Sequence, residues 1–460
     1  AAGTVVGVAV DMDNKKIWIA KNNSWFGSSN AVTDGNPSTG TNPTSTFTDS
    51  QIPDGHLYPQ LGLYNYAAKV NFGQDSSFSG TKTAQTNKDA SGLGNFFYAP
   101  PTGFLALCTN NLPSEAQYVI EPQKHFNTLT YTGDGSSSNE VTGLQFKPDL
   151  VWIKSRLSTS EHILQDSVRG ANVFTSITQA QEGATGGGWV KNMNENGFIT
   201  DVNGPINTNG ASYVAWCWKA GGTAVTNNDG SKSVTLSANQ EAGFSIIEFA
   251  GNDANATIGH GLGKKPKFFV VKSRTHSQNW FAYHVGTGAT KNPRLNDNTV
   301  YTTANIWNNT EPTDTVINLG SSSGVNGNGN SYICYCWTDI PGYSKIGSYV
   351  GNANADGPFV YCGFRPAFIL FKNASTTTNW EIYDTTRPYG VSNPALRPLY
   401  ANHNYVEETH ATLPLLDILS NGFKIRGTWD EFNKSGNTIL YMAFAEQPGP
   451  TAYATETNAR

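Results

Sequence analysis

Asp166 stands three residues before Arg169, and Asp384 three before Arg387. A third place in the same register holds His284 and Thr287, so both partners change together. A joint replacement points to an ion pair or turn lock that holds structure, not to acid–base catalysis. Glycoside hydrolysis needs two carboxylates ~5–9.5 Å apart across the scissile bond. Glu381 with Asp384, and Asp430 with Glu431, are local pairs on strand or turn sequence without such a signature. No serine nucleophile elbow is expected, and Cys217 and Cys336 fall at matching places in strand-like runs, where burial keeps a thiol inert. All five cysteines (Cys108, Cys217, Cys334, Cys336 and Cys362) read as small buried hydrophobes, without a CxxC pair or a disulfide framework.

The eight histidines form no H-x-x-x-H pair and have no cysteine partner at zinc spacing. The clusters GNDANA and GNANADG could offer oxygen ligands to Ca²⁺, but neither matches an EF-hand loop, and both read as turns. No catalytic residue, metal site or cofactor is therefore expected. What remains is binding. Sugars are held by an aromatic face with amides and carboxylates on the hydroxyls. Trp307 in NIWNNTEP and Trp429 in RGTWDEFN lie in polar, turn-rich sequence and are the candidate ligand-binding residues.

The elements that must position these residues recur three times. KPDLVWIKSR (147–156), KPKFFVVKSR (265–274) and RPAFILFKNA (365–374) each lie 17 residues behind an aromatic-x-Gly, counted from Tyr131, Phe249 or Tyr349 to Pro148, Pro266 or Pro366. Six residues past each proline stands Lys154, Lys272 or Lys372, and twelve further on Asp166, His284 or Asp384. The short β-branched and aromatic run after each proline predicts a strand buried on both faces, started where proline's missing N–H matters least. HILQD, WFAYH and WEIYD predict a half-buried strand with Trp280 and Trp380 in the core. A closing strand follows in each copy, as YVAWCWKA from Tyr213, YICYCWTD from Tyr332 and YMAFAEQP from Tyr441. The three lysines either end a strand with the amine in solvent or line a shared ligand groove.

The 460 residues, 14% charged and 12% aromatic, with abundant Gly, Asn, Ser and Thr, predict an all-β chain of several domains. The expected divisions are 1–115, repeat 1 at 116–222, a linker with repeat 2 at 223–342, repeat 3 at 343–448, and a tail at 449–460. A net charge of −5 without a basic cluster argues against nucleic acid. No apolar run approaches the ~20 residues of a membrane span, so no membrane insertion is expected. No secretory leader is read, and a start without Met, inside a strand-like run, suggests processing or a longer polypeptide.

Residues 4–107 follow another pattern: GVAVDMDN, IWIAKNNSW, a Gly-Asn-Pro loop, KVNFGQ and PPTGF, in that order. This order resembles the second half of a SPRY domain. The resemblance implies a partial SPRY-like β-sandwich whose opening strands must come from upstream residues or a neighbouring chain. Downstream, GFSIIEFAGNDANATIGHGLGKKPKFFVVKSR and LSNGFKIRGTWDEFNKSGNTILYMAFAEQP look like repeated β modules of tailed-bacteriophage tail fibres and appendages.

The resemblance implies a virion structural protein, assembled in the host cytoplasm and extracellular after release. It also implies a homo-oligomer, a trimer above all, joined to other virion proteins and meeting host-surface glycan or protein. The expected fold is thus tandem jelly-roll-like β-sandwiches, the SPRY-like unit followed by three related modules that lengthen a rod. The alternatives are a polysaccharide depolymerase with a site between subunits, and a cellular SPRY-type adhesin.

Overall fold

The computed structural model describes residues 3–29, 32–48, 51, 68–108, 111, 121–170, 173–174, 189–202, 204–303, 305–387, 393, 395, 397–407 and 416–446. The tail at 449–460 and most of HLYPQLGLYNYAAK lie outside the described residues. The chain is all-β, 38% strand against 5% helix, in antiparallel sheets stacked as sandwiches. It divides into two compact units, Ala1–Tyr118 and Val119–Arg460. No described helix is long and apolar enough to cross a membrane.

In the first unit, Val6–Asp11 and Lys16–Lys21 form an antiparallel hairpin, extended by Ser24–Trp25 and by Ser45–Thr46. Asp11 closes the turn by accepting from the Asn14 backbone N–H (2.9 Å) and from its side-chain amide (2.8 Å). This is an Asx lock of the kind that makes Asp a turn former. Trp18 is fully buried, donates to the Thr41 carbonyl (2.9 Å) and meets Phe104 edge-on.

The second unit holds the three repeats, each with an inner and an outer sheet. In repeat 1 the inner order is Phe126–Thr132, Ser212–Trp218, Leu150–Ser155, Ile163–Asp166 and Val173–Phe174. Repeat 3 has the same order: Ser344–Val350, Thr438–Ala445, Pro366–Asn373, Trp380–Asp384 and Leu399–Tyr400. In repeat 2 the order Phe244–Ala250, Ser331–Trp337, Phe268–Ser273 and Phe281–His284 gains two edge strands from the linker, Val225–Asn227 and Val234–Asn239.

Why the strand behind each proline is buried at nearly every residue is visible in how its side chains divide. Leu150 and Trp152, Phe268 and Val270, and Phe368 and Leu370 all enter one cluster shared by the three repeats. The alternate residues Val151 and Ile153, Phe269 and Val271, and Ile369 and Phe371 enter three separate clusters, each under its own outer sheet. Period-two alternation thus feeds two cores from one strand. The repeats therefore do not lengthen a rod. Each inner sheet has a second apolar face, and among the described residues that face packs into one cluster with the other two repeats.

Two expectations are corrected here. The HILQD, WFAYH and WEIYD strands are buried on both faces, not half-buried, because the shared cluster covers one side and the repeat's own core the other. Trp280 and Trp380 do lie in the shared core. The closing strands also align differently. Tyr213 stands opposite Tyr131 and Ser155, and Tyr332 opposite Phe249 and Ser273, but the residue opposite Tyr349 and Asn373 is Ile439. Aligning on Tyr441 slips the third copy by two residues. A two-residue slip preserves inside and outside, so the hydrophobic pattern does not reveal it.

Candidate functional site

The polar residues singled out by the sequence come together at the seams between repeats. Arg169 donates from Nε to Asp166 (2.5 Å), and its Nη2 reaches the Leu164 carbonyl (3.2 Å) and the Tyr335 hydroxyl (2.9 Å). Tyr335, on the closing strand of repeat 2, donates to Asp166 of repeat 1 (2.7 Å). Arg387 likewise donates to Asp384 (2.7 Å), which also accepts from Trp216 Nε1 (3.1 Å) on the closing strand of repeat 1. The third seam has Met442 where the others have Trp216 and Tyr335, and methionine has no proton to donate. There the acceptor position is His284, whose Nε2 donates to the Tyr441 carbonyl (3.2 Å). The contacts run from repeat 1 to 3, 3 to 2 and 2 to 1, closing a ring. The joint replacement in the middle copy thus follows from its partner strand.

His284 and His162 are each held in one neutral tautomer. His284 Nδ1 accepts from the Gly286 N–H (3.0 Å), so Nε2 carries the proton given to Tyr441. His162 Nδ1 accepts from Trp152 Nε1 (2.8 Å), and its Nε2 donates to the His403 carbonyl (3.0 Å). Assigning the proton from the partners is the standard inference for a neutral imidazole. Burial pushes the pKa of His284 down to about 4 and that of His162 to about 3, the latter helped by Lys154. Neither ring is poised as a base at neutral pH.

The three lysines neither end in solvent nor line a groove. Lys154, Lys272 and Lys372 are buried, because the loop that follows each strand folds back over the amine. Lys154 Nζ donates to the Ser155 (2.6 Å) and Ser158 (3.0 Å) carbonyls, Lys272 Nζ to Gln278 (2.8 Å), and Lys372 Nζ to Asn373 (2.9 Å) and Thr378 (2.8 Å). Burial lowers their pKa to about 8, 7 and 8. Backbone carbonyls replace the water that an ammonium loses.

A second repeated device escaped the sequence reading. The one-turn helices Gly204–Asn207, Ser323–Asn326 and Asp430–Asn433 each end in a buried asparagine. Its Oδ1 accepts from the backbone N–H of Asp134, Asn252 or Asn352, just past the aromatic-x-Gly. Its Nδ2 donates to the carbonyl of Ser136, Ala254 or Asn354. The glycines before it, Gly133, Gly251 and Gly351, pass so near the following backbone that a Cβ would fall within 3.0 Å of a carbonyl oxygen. The aromatic-x-Gly spacing was the available signal. GNDANA and GNANADG are the turns this asparagine locks.

Trp307 is buried among Phe269 and the core of repeat 2 and offers no face to a ligand; a turn-rich context does not imply exposure. Trp429 is half-buried against the core of repeat 3, where it precedes the Asp430–Asn433 helix. Cys217, Cys334, Cys336 and Cys362 are buried, but Cys108 is exposed. The run Gly-Ser-Ser-Ser-Gly at 320–324 fits G-x-S-x-G, against expectation. Ser322 has φ −65° and ψ 133° and caps the short helix by accepting from the Gly324 N–H, an unstrained cap and not an elbow. Among the described residues no cluster of His, Cys, Asp or Glu could hold a metal ion. A void of about 10 Å³ in the shared core is lined by apolar side chains such as Trp218, Trp280 and Tyr335.

The surface tells the repeats apart. Among the described residues of the second unit, the exposed Phe and Tyr side chains are Phe359, Tyr361 and Tyr405, all in repeat 3. Tyr405 stacks on His403, with ring centroids 4.5 Å apart. Asn404 beside it donates to Glu161 of repeat 1 (3.2 Å).

Three sandwiches closed about one core, with a surface that differs between copies, define a repeat protein of internal threefold design. The chain belongs to the family described as a domain of unknown function (DUF7483), whose match spans residues 121–448 and so takes in all three repeats. No curated protein matches the chain.

Proposed function

We propose that this chain is a non-enzymatic structural protein of a bacteriophage virion, a tail fibre or similar appendage, that contacts glycan or protein on the host surface. One observation carries the reading: among the described residues the exposed Phe and Tyr side chains of the second unit gather on repeat 3, whereas Asp166, Arg169, His162, His284, Asp384 and Arg387 are buried at the seams. A surface aromatic offers a flat apolar face at low conformational cost, which suits recognition. The likeness of the repeats to phage appendage modules supplies the setting. The proposed assembly is a homotrimer held by other virion proteins, in which several copies of a weak site act together through avidity.

The test is electrophoresis of the purified protein through gels containing bacterial surface polysaccharides, reading both its retardation and the polymer's length. Retardation with the polymer intact is expected. Shortening of the polymer would replace this reading with a depolymerase.

A further inference from the structure

Phe359 and Tyr361 lie on Phe359–Tyr361, the edge strand of repeat 3's outer sheet, with Val360 between them turned into the core. Both rings therefore stand on the solvent side, roughly 7 Å apart along the strand. The other repeats show what the fold itself asks of these positions. Matched through the residue paired with Phe198, Ile317 or Phe423, the equivalents of Phe359 and Tyr361 are Glu140 and Thr142 in repeat 1, and Thr257 and Gly259 in repeat 2. In repeat 2 the linker covers this face, with the Ser231 N–H donating to Thr257 Oγ1 (2.7 Å). The fold thus accepts polar or small residues there twice. Two exposed aromatics in the third copy are additions that folding does not require.

The surrounding charges narrow the ligand. Lys424, opposite Phe359, pairs with Asp356 at 2.7 Å, and Arg426 pairs with Asp417 at 3.1 Å. Two cations matched by two carboxylates leave the face without net charge, so it has no electrostatic pull for a polyanion. The same groups offer alternating donors and acceptors, the complement of hydroxyl groups. Gly422, opposite Tyr361, leaves that ring without cross-strand cover. We infer that the outer sheet face of repeat 3, built on Phe359 and Tyr361 and flanked by the Lys424–Asp356 and Arg426–Asp417 pairs, binds an uncharged polysaccharide through stacking on its sugar rings. This inference rests on the proposed host-contact role and assigns its site.

The experiment uses the full chain in native gels containing dextran, laminarin or galactomannan, with alginate as the polyanion. Wild type is compared with Phe359→Glu/Tyr361→Thr, which installs the residues of repeat 1, with Tyr361→Thr alone, and with Leu157→Ser, an exposed apolar side chain of repeat 1. Retardation by at least one neutral polymer is expected, weakened tenfold or more in the double variant, reduced in Tyr361→Thr and unchanged in Leu157→Ser. The single variant decides the matter if the double variant does not fold. Equal retardation of wild type and variants, retardation by alginate alone, or no retardation by any neutral polymer overturns the inference. Adsorption to bacterial cells separates the two claims. Adsorption that survives the substitutions removes this face and leaves the host-contact role standing, while no adsorption to cells or polymers removes both.

Discussion

Acidification should loosen the ring at two of its seams. His162 sits between repeats 1 and 3 and His284 between repeats 2 and 3, each with one nitrogen donating and the other accepting. A second proton would go to Nδ1, where the Trp152 or Gly286 N–H already points, setting two donors against each other. Their folded pKa values, about 3 and about 4, lie below the unfolded value of 6.5. The unfolded chain therefore binds these protons more readily, and stability falls as pH drops from 6.5 toward 4. At ~1.4 kcal/mol per pH unit, each imidazole removes about 2 kcal/mol by pH 5, and the two together about 4. Against a total of roughly 5–15 kcal/mol that is a large share. Urea unfolding followed by tryptophan fluorescence at pH 7, 6 and 5 reads the loss directly. His162→Asn/His284→Asn should start less stable and lose most of the slope. A wild-type loss under about 1 kcal/mol, or an equal slope in the variant, would refute the reasoning.

Lys272 has a lowered folded pKa of about 7, so its protonated form is disfavoured by folding and stability should rise with pH between 7 and 10. Lys272→Met should flatten that rise by roughly 1–3 kcal/mol in thermal melts at pH 7.5 and 9.5. Tyr335→Phe removes a hydroxyl that both donates to Asp166 and accepts from Arg169, and should cost about 1–3 kcal/mol in denaturant unfolding. Gly251→Ala forces a Cβ against a backbone carbonyl, so yield of folded protein should collapse, whereas Gly329→Ala, with nothing near its Cβ, should give folded protein with a lower melting point because of its positive φ.

The all-β fold, the buried strand behind each proline and the core placement of Trp280 and Trp380 were legible because period two and β-branched composition report burial directly, although that strand starts at the proline only in repeat 3 and two residues later, at Leu150 and Phe268, in the other copies. The ring was not. A continuous run of apolar residues announces two covered faces but not what covers the second, and a run of three copies fits a row as well as a circle. The lysines misled for a related reason: a charged residue at a strand end is ordinarily solvated, and the loop folding back, which supplies carbonyls to Lys154, Lys272 and Lys372, is not visible in the sequence. Trp307 and Phe359 are the same problem reversed. Local polarity around Trp307 hid a core residue, while the sequence singled out neither Phe359 nor Tyr361, whose outward placement comes from the register.

Hydrogen exchange across a denaturant series, resolved to peptides from Ser212–Trp218, Ser331–Trp337 and Thr438–Ala445, tests the shared core most directly. If the three inner sheets are one cooperative structure, the three closing strands lose protection together at the same denaturant concentration. One strand opening well before the others, with its neighbours still protected, would contradict the ring.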